Sequence, residues 1–297
     1  MSDTTLRGTS AVVTGATAGI GFHTALGLAR LGAHVIVTAR DEARGRAAVA
    51  EMRRMAGHPD VELLLADASS VRANVTLADA IARLVPRLNI LVNNAGGGAF
   101  PDRTETPDGF EANLALNFIG PFALTTRLLG LITHSSTRVV NVVSSSFKMW
   151  TRDPFDDLQS QLQYVWIEAH ARAKLLNLLF TLGLARRLAG SGAVVNAVNP
   201  GMAWTPGIAA LTPAAVPHWR YIWPIVRWVQ RRASAESAAQ APLYLACSPD
   251  VTDRSGLYMD GRKERTLPSN VRDATLQDRV WELGESFVTR ALAPASS

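Results

Sequence analysis

The chain of 297 residues holds one cysteine, Cys247, and that scarcity excludes two ways of building a site. No intrachain disulfide can form, and no cluster of thiolates can hold a metal. Cys247 lies in Leu243-Tyr244-Leu245-Ala246-Cys247, a setting that suits a buried structural thiol better than a nucleophile. Lysine is almost as rare: of 30 basic residues only Lys148, Lys174 and Lys263 are lysines, and the rest are arginines. These are spread among 25 acids without a polybasic run, so the net charge of +5 does not indicate nucleic-acid binding. There are four tyrosines, Tyr164, Tyr221, Tyr244 and Tyr258, and none stands four residues before a lysine. No apolar run is long enough to span a bilayer, and Met1-Ser2-Asp3-Thr4-Thr5-Leu6 lacks an apolar signal region, so the expected compartment is the cytoplasm.

With 47% hydrophobic and 19% charged residues, the composition is that of a globular protein with a sizeable core. Short β-branched runs alternate with longer helical patterns. Strands are expected near 10–14, 34–39, 61–66, 89–93, 138–143, 193–198 and 256–259, with helices over 19–32, 41–56, 73–86, 108–134 and 165–190. Runs as apolar as Val139-Val140-Asn141-Val142-Val143 suit strands covered on both faces. The alternation implies an α/β protein with a doubly wound parallel sheet. Nothing resembles a linker, so residues 1–297 are expected to form one domain, with 293–297 a frayed tail.

Segment 202–232 breaks the rhythm, gathering Trp204, Trp219, Tyr221, Trp223 and Trp228 among prolines and arginines. It follows a strand end, where open α/β sheets bind ligands. The reading adopted is an insertion covering a bulky apolar small-molecule substrate. A helix packed on the fold, or an interfacial helix touching a membrane surface, are the alternatives.

Thr14-Gly15-Ala16-Thr17-Ala18-Gly19-Ile20-Gly21 joins the first strand to the first helix. Gly15 suits a tight turn, Gly19 a close approach of backbone to a pyrophosphate, and Gly21 close helix–strand packing. The following helix N-terminus then offers amides and a positive dipole end to phosphates. This is a Rossmann-type dinucleotide site. The second strand closes on Thr38-Ala39-Arg40. An acid there would bind both ribose hydroxyls, whereas Arg40 favours a 2′-phosphate, and so NADP(H) over NAD(H). Asp41, next to it, is a candidate helix cap.

On these residues the chain resembles the short-chain dehydrogenase/reductase family, and within it the retinol-dehydrogenase-like branch, over nearly its whole length. Thr14 to Gly21, including Thr17 and Ile20, matches the family's glycine motif. The resemblance implies that Asp67 contacts adenine and that Asn93-Asn94-Ala95-Gly96 is the element after the fourth strand. It implies that Asn117 holds a proton-relay water, that Ser144 binds the substrate oxygen, and that Pro200, Gly201 and Thr205 meet the nicotinamide end. It also implies that helices 108–134 and 165–190 build homodimer faces.

The family pairs a tyrosine with a lysine four residues later, one helical turn apart on the same face. Here Lys174 is present and His170 occupies the tyrosine position. Imidazole has a reference pKa of ~6.5 against ~10 for a phenol, and a neighbouring ammonium lowers it further. Neutral imidazole is a competent base, so alcohol oxidation, or proton abstraction beside a carbonyl, fits more naturally than ketone reduction. Tyr164 or Tyr221, swung inward, are the alternative proton donors. Three functions stay open on the sequence. The first is an NADP(H)-dependent oxidoreductase interconverting alcohol and ketone through Asn117, Ser144, His170 and Lys174. The second is a non-redox isomerase, dehydratase or cyclase of secondary metabolism using His170 as acid/base. The third is a non-catalytic nucleotide-binding protein.

Overall fold

A computed structural model describes residues 5–98, 100–150, 152–201 and 233–294. The expected strands form within a residue or two of their predicted ends: β1 (Ser10–Val13), β2 (His34–Ala39), β3 (Val61–Leu65), β4 (Ile90–Asn93), β5 (Arg138–Val142), β6 (Val194–Asn199) and β7 (Tyr258–Asp260). A short β8 (Lys263–Glu264) adds an antiparallel edge to the otherwise parallel sheet. The order β3-β2-β1-β4-β5-β6-β7-β8 makes successive crossovers run in opposite directions on either side of the β1/β4 pair. A crevice opens at the carboxyl ends of the strands at such a switch point.

The strands are apolar throughout because both faces are covered. Val12, Ile36 and Leu91 face one buried cluster, while Val13, Val37 and Val92 face the other. The first is covered by α3 (Val71–Leu84), α4 (Ala112–Arg127), α6 (Trp166–Arg187) and α8 (Ala274–Leu292), with α5 (Leu129–Ser135) following α4. The second lies under α1 (Gly19–Arg30), α2 (Glu42–Ala56) and α7 (Ala235–Cys247). Cys247 ends buried in α7, its thiol donating to the Leu243 carbonyl at 3.0 Å. Among the described residues no single helix is long and apolar enough to cross a membrane; the one bent pair that passes by composition, α4 with α5, contributes to the core.

The helix expected over 108–134 is shorter and interrupted. Its start is set at Ala112 because the Glu111 carboxylate accepts from the Asn113 and Leu114 amides, both at 2.8 Å. Residues Ala115–Ile119 form a π turn. Pro121 has no N–H for the Asn117 carbonyl four residues earlier, and that carbonyl instead accepts the Asn177 Nδ2 of α6 at 2.6 Å. At Leu128 the chain bends by 62° into α5.

Helix α8 packs against part of the two helices from which the homodimer face was expected. Trp281 of α8 packs on Phe122 and Phe180 with ring centroids 5.4 and 6.0 Å away, and Asp278 pairs with Arg186 and Arg187. A Cβ at Gly284 would sit 2.5 Å from the Phe122 ring. Replacing Gly284 with valine is therefore expected to cost on the order of 2–3 kcal/mol by overpacking. The comparison is Gly130→Ala in α5, where nothing lies within 4 Å and the change is expected to be neutral or slightly stabilising. Urea unfolding of both variants measures the difference.

Candidate active site

The crevice forms a cavity of about 850 Å³ that runs from Arg40 and Arg44 past Thr17, Ile20 and Ala95 to His170 and Lys174. Its floor is made where β1 and β4 end. The Thr14 Oγ1 accepts from the Asn94 and Ala95 amides at 3.0 and 2.9 Å, tying the two loops together. Gly15, at φ +63°, leaves 2.9 Å between a hypothetical Cβ and the Ala95 backbone. At Gly21 a Cβ would run into the Asn94 side chain, whose amide donates to the Thr14 carbonyl at 2.8 Å. Helix α1 begins with no side-chain cap at Ala18 and no acid in its first turn. Its first amides and positive dipole end therefore remain available to an anion.

At the outer end, the Asp41 carboxylate accepts from the Arg44 amide at 2.8 Å, so it caps α2 as the sequence suggested. Arg40 and Arg44 are exposed along this rim with their guanidinium groups available. Asp67 lines the same wall, holding the Ser69 amide and hydroxyl at 2.9 and 2.7 Å.

At the inner end, Lys174 is buried and its Nζ donates to the Val142 carbonyl at the end of β5, 2.9 Å away. Burial lowers its pKa to about 8, which leaves it about nine-tenths protonated at pH 7. One turn earlier, His170 is 7% exposed and stacks on Trp166, with ring centroids 5.0 Å apart and planes 13° from parallel. Its pKa is lowered to about 3, first by burial and then by the Lys174 ammonium, with the Gly97 backbone opposing the shift. The sequence anticipated the ammonium; burial is the larger cause. Ser144 is half-buried on the cavity wall, where its Oγ accepts from the Ser146 amide at 3.2 Å and keeps its own O–H free to donate.

Asn117, for which the resemblance implies a water, has both ends of its side chain engaged. Its Oδ1 accepts from the Gly97 amide at 3.0 Å and its Nδ2 donates to the Asn113 carbonyl at 3.0 Å. Gly96 must lack a side chain, since a Cβ would lie 2.8 Å from Asn117 Oδ1 and 2.9 Å from Lys174 Nζ. Pro200 and Gly201 reach the cavity, whereas Thr205 and the 202–232 insertion lie outside the described residues. Gly19 contributes its φ of +59° at the helix start. Asn93 needs correction: it points into the core, its amide on Thr125 and Asn141 at 2.9 and 2.7 Å, because successive strand residues face opposite ways. Asn94 lines the cavity in its place.

Tyr164 is held away from a proton-transfer role. Its hydroxyl donates to the Phe100 carbonyl at 2.7 Å and accepts from Asn113 Nδ2 at 3.1 Å, and burial raises its pKa. Sequence reading also missed Trp166 and Gly97. The signal for Trp166 was its four-residue spacing from His170.

A switch-point crevice with an uncapped helix N-terminus along it and a buried cation at its inner end belongs to the dinucleotide-binding α/β class. Residues 9–154 match the family model for short chain dehydrogenase. Retinol dehydrogenase 14 of Mus musculus is 37% identical, the match covering 95% of this chain and 86% of that protein. Among solved structures, an uncharacterised protein from Mycobacterium paratuberculosis superposes with a TM-score of 0.74 at 29% identity, covering 96% of this chain and 95% of that one. An NAD(P)-dependent gluconate 5-dehydrogenase from Beutenbergia cavernae, with bound NADP, gives 0.67 at 27% identity over 86% of this chain and 96% of that one. The chain belongs to the short-chain dehydrogenase/reductase family, on its retinol-dehydrogenase-like branch.

The depressed pKa of His170 has a consequence for stability. The unfolded state binds its proton near pH 6.5 and the folded state only near pH 3, so the contribution is present above 6.5 and lost as pH falls toward 3. From about pH 6.5 to 4.5, the wild-type protein is expected to lose up to about 1.4 kcal/mol more unfolding free energy per pH unit than His170→Gln. Urea unfolding at a series of pH values measures both slopes; coincident slopes would contradict the burial of a neutral imidazole.

Proposed function

We propose that this protein is an NADP(H)-dependent oxidoreductase that interconverts an alcohol and a ketone on a bulky apolar substrate. The observation that carries the proposal is the placement of His170 and Lys174 at the inner end of the same crevice whose outer rim is Arg40 and Arg44. The residues fit the cofactor: α1 offers open amides for the pyrophosphate, the two arginines suit a 2′-phosphate, and Lys174 has N–H groups beyond the one given to Val142 for the nicotinamide ribose. When bound, the nicotinamide ring supplies the hydride chemistry.

The chain's own part is the proton and the substrate oxygen. Ser144 donates its O–H to that oxygen. His170 is neutral at pH 7, since a pKa of about 3 disfavours the imidazolium by about 5 kcal/mol there. Its neutral ring is the form that accepts the alcohol proton, so alcohol oxidation is the direction that starts from it. Phe100, Leu116 and Trp166 make the neighbouring wall apolar. Retinol, the alcohol in the names of the relatives, is a molecule of that character.

The first test is NADP⁺ with a bulky apolar secondary alcohol, and with all-trans-retinol, a primary alcohol whose oxidation gives the aldehyde, followed at the nicotinamide absorbance band. Turnover is expected, with His170→Ala removing it and Tyr164→Phe retaining it; unchanged activity in His170→Ala would overturn the role given to the imidazole. Product formed without net cofactor change would instead identify a non-redox isomerase, dehydratase or cyclase. Binding without any turnover of alcohols or ketones would favour a nucleotide-binding role. In a second test, Arg40→Ala is expected to weaken NADPH binding by about tenfold or more while leaving NADH nearly unchanged, read by fluorescence titration. Equal losses for both cofactors would remove the basis for the NADP(H) preference.

A further inference from the structure

Trp166, His170 and Lys174 stand four residues apart on α6 and share one face. Opposite them, Gly96-Gly97-Gly98 runs in the reverse direction. The Trp166 indole N–H donates to the Gly98 carbonyl at 2.7 Å. The Gly97 backbone interacts with the His170 imidazole, and a Cβ on Gly96 would lie 2.9 Å from Lys174 Nζ. Gly97 and Gly98 sit at φ +83° and +61°, a turn that glycine enters easily and also leaves easily.

An acid/base histidine is usually oriented by a hydrogen bond at the nitrogen not in use. Here His170 Nδ1 is buried and has no hydrogen-bond partner among the described residues. Beside the Gly97 backbone, packing orients the ring, and the Trp166 ring lies flat against the imidazole. Resting on the oxidoreductase reading, we propose that Trp166 is a positioning residue: it clamps the triglycine turn at Gly98 and covers one face of the His170 ring, holding turn and ring as a unit. The charge acting on the ring is Lys174, from the same helix, and the triglycine turn brings none.

The two halves of the clamp separate in two variants of the full-length protein. Trp166→Ala removes both the ring cover and the indole donor, whereas Trp166→Phe keeps an aromatic cover and removes only the donor. NMR of ring-labelled histidine, with the His170 signal assigned through His170→Gln, reads the titration; amide exchange at Gly97 and Gly98 reads the turn. Trp166→Ala is expected to raise the His170 midpoint by about one pH unit or more toward its ordinary value. Both variants are expected to speed exchange by about tenfold, with the titration in Trp166→Phe staying near wild type. An unmoved midpoint in Trp166→Ala, or unmoved exchange in Trp166→Phe, would overturn the proposal. With NADP⁺ and all-trans-retinol, Trp166→Ala should lower kcat about tenfold while the KM for NADP⁺ stays within about twofold. If the wild type shows no turnover, the oxidoreductase reading falls, and the titration and exchange still decide whether Trp166 is the clamp.

Discussion

The arrangement depends on one buried ammonium. Lys174 is taken out of water and given, among the described residues, a single acceptor, the Val142 carbonyl at the end of β5. Removing a cation from water is costly unless it finds partners, and the depression of its pKa to about 8 expresses that cost. A lysine held this way has donors left over, and it lines the cavity wall. Its surroundings are shaped to let it stay: Gly96 lacks a side chain because Nζ and Asn117 Oδ1 already fill the space. Burial first, and the same charge second, keep the neighbouring imidazole from taking a proton.

That pairing gives this family member a different acid–base character from one with a phenol at the same place. A phenol near a lysine is pushed toward its charged, basic form, whereas an imidazole near a lysine is pushed toward its neutral form. The described tyrosines do not make up the difference. Tyr164 is tied to Phe100 and Asn113; Tyr244 lies by Asp250; the buried Tyr258, its pKa pushed up to about 12, packs edge-on against Phe147.

Behind the site, a chain of buried polar contacts links the helices to the sheet. Tyr164 meets Asn113, the Asn113 carbonyl takes Asn117, and the Asn117 carbonyl takes Asn177. The Asn177 carbonyl takes Thr181, which accepts from Asn141, and Asn141 accepts from Asn93. Buried amides tolerate few alternatives once paired, so this chain fixes the π turn, α6 and the ends of β4 and β5 relative to one another. Pro121 opens the chain at its middle by leaving the Asn117 carbonyl for Asn177.

The sequence by itself determined the sheet, its strand limits, the glycine turn and the register of His170 with Lys174, because periodicity and four-residue spacing are local properties. It also determined that Asp41 could cap and that Arg40 stood at the rim. Tertiary structure decided what depends on distant neighbours. Asn93 turned to the core and Asn94 to the cavity; α8 came to pack on Phe122 and Phe180; Trp166 came to lie on His170 and Gly98. Above all it decided the protonation of His170. The letters placed an ammonium one turn away, but the larger effect is burial of the ring, and burial is a property of the folded chain.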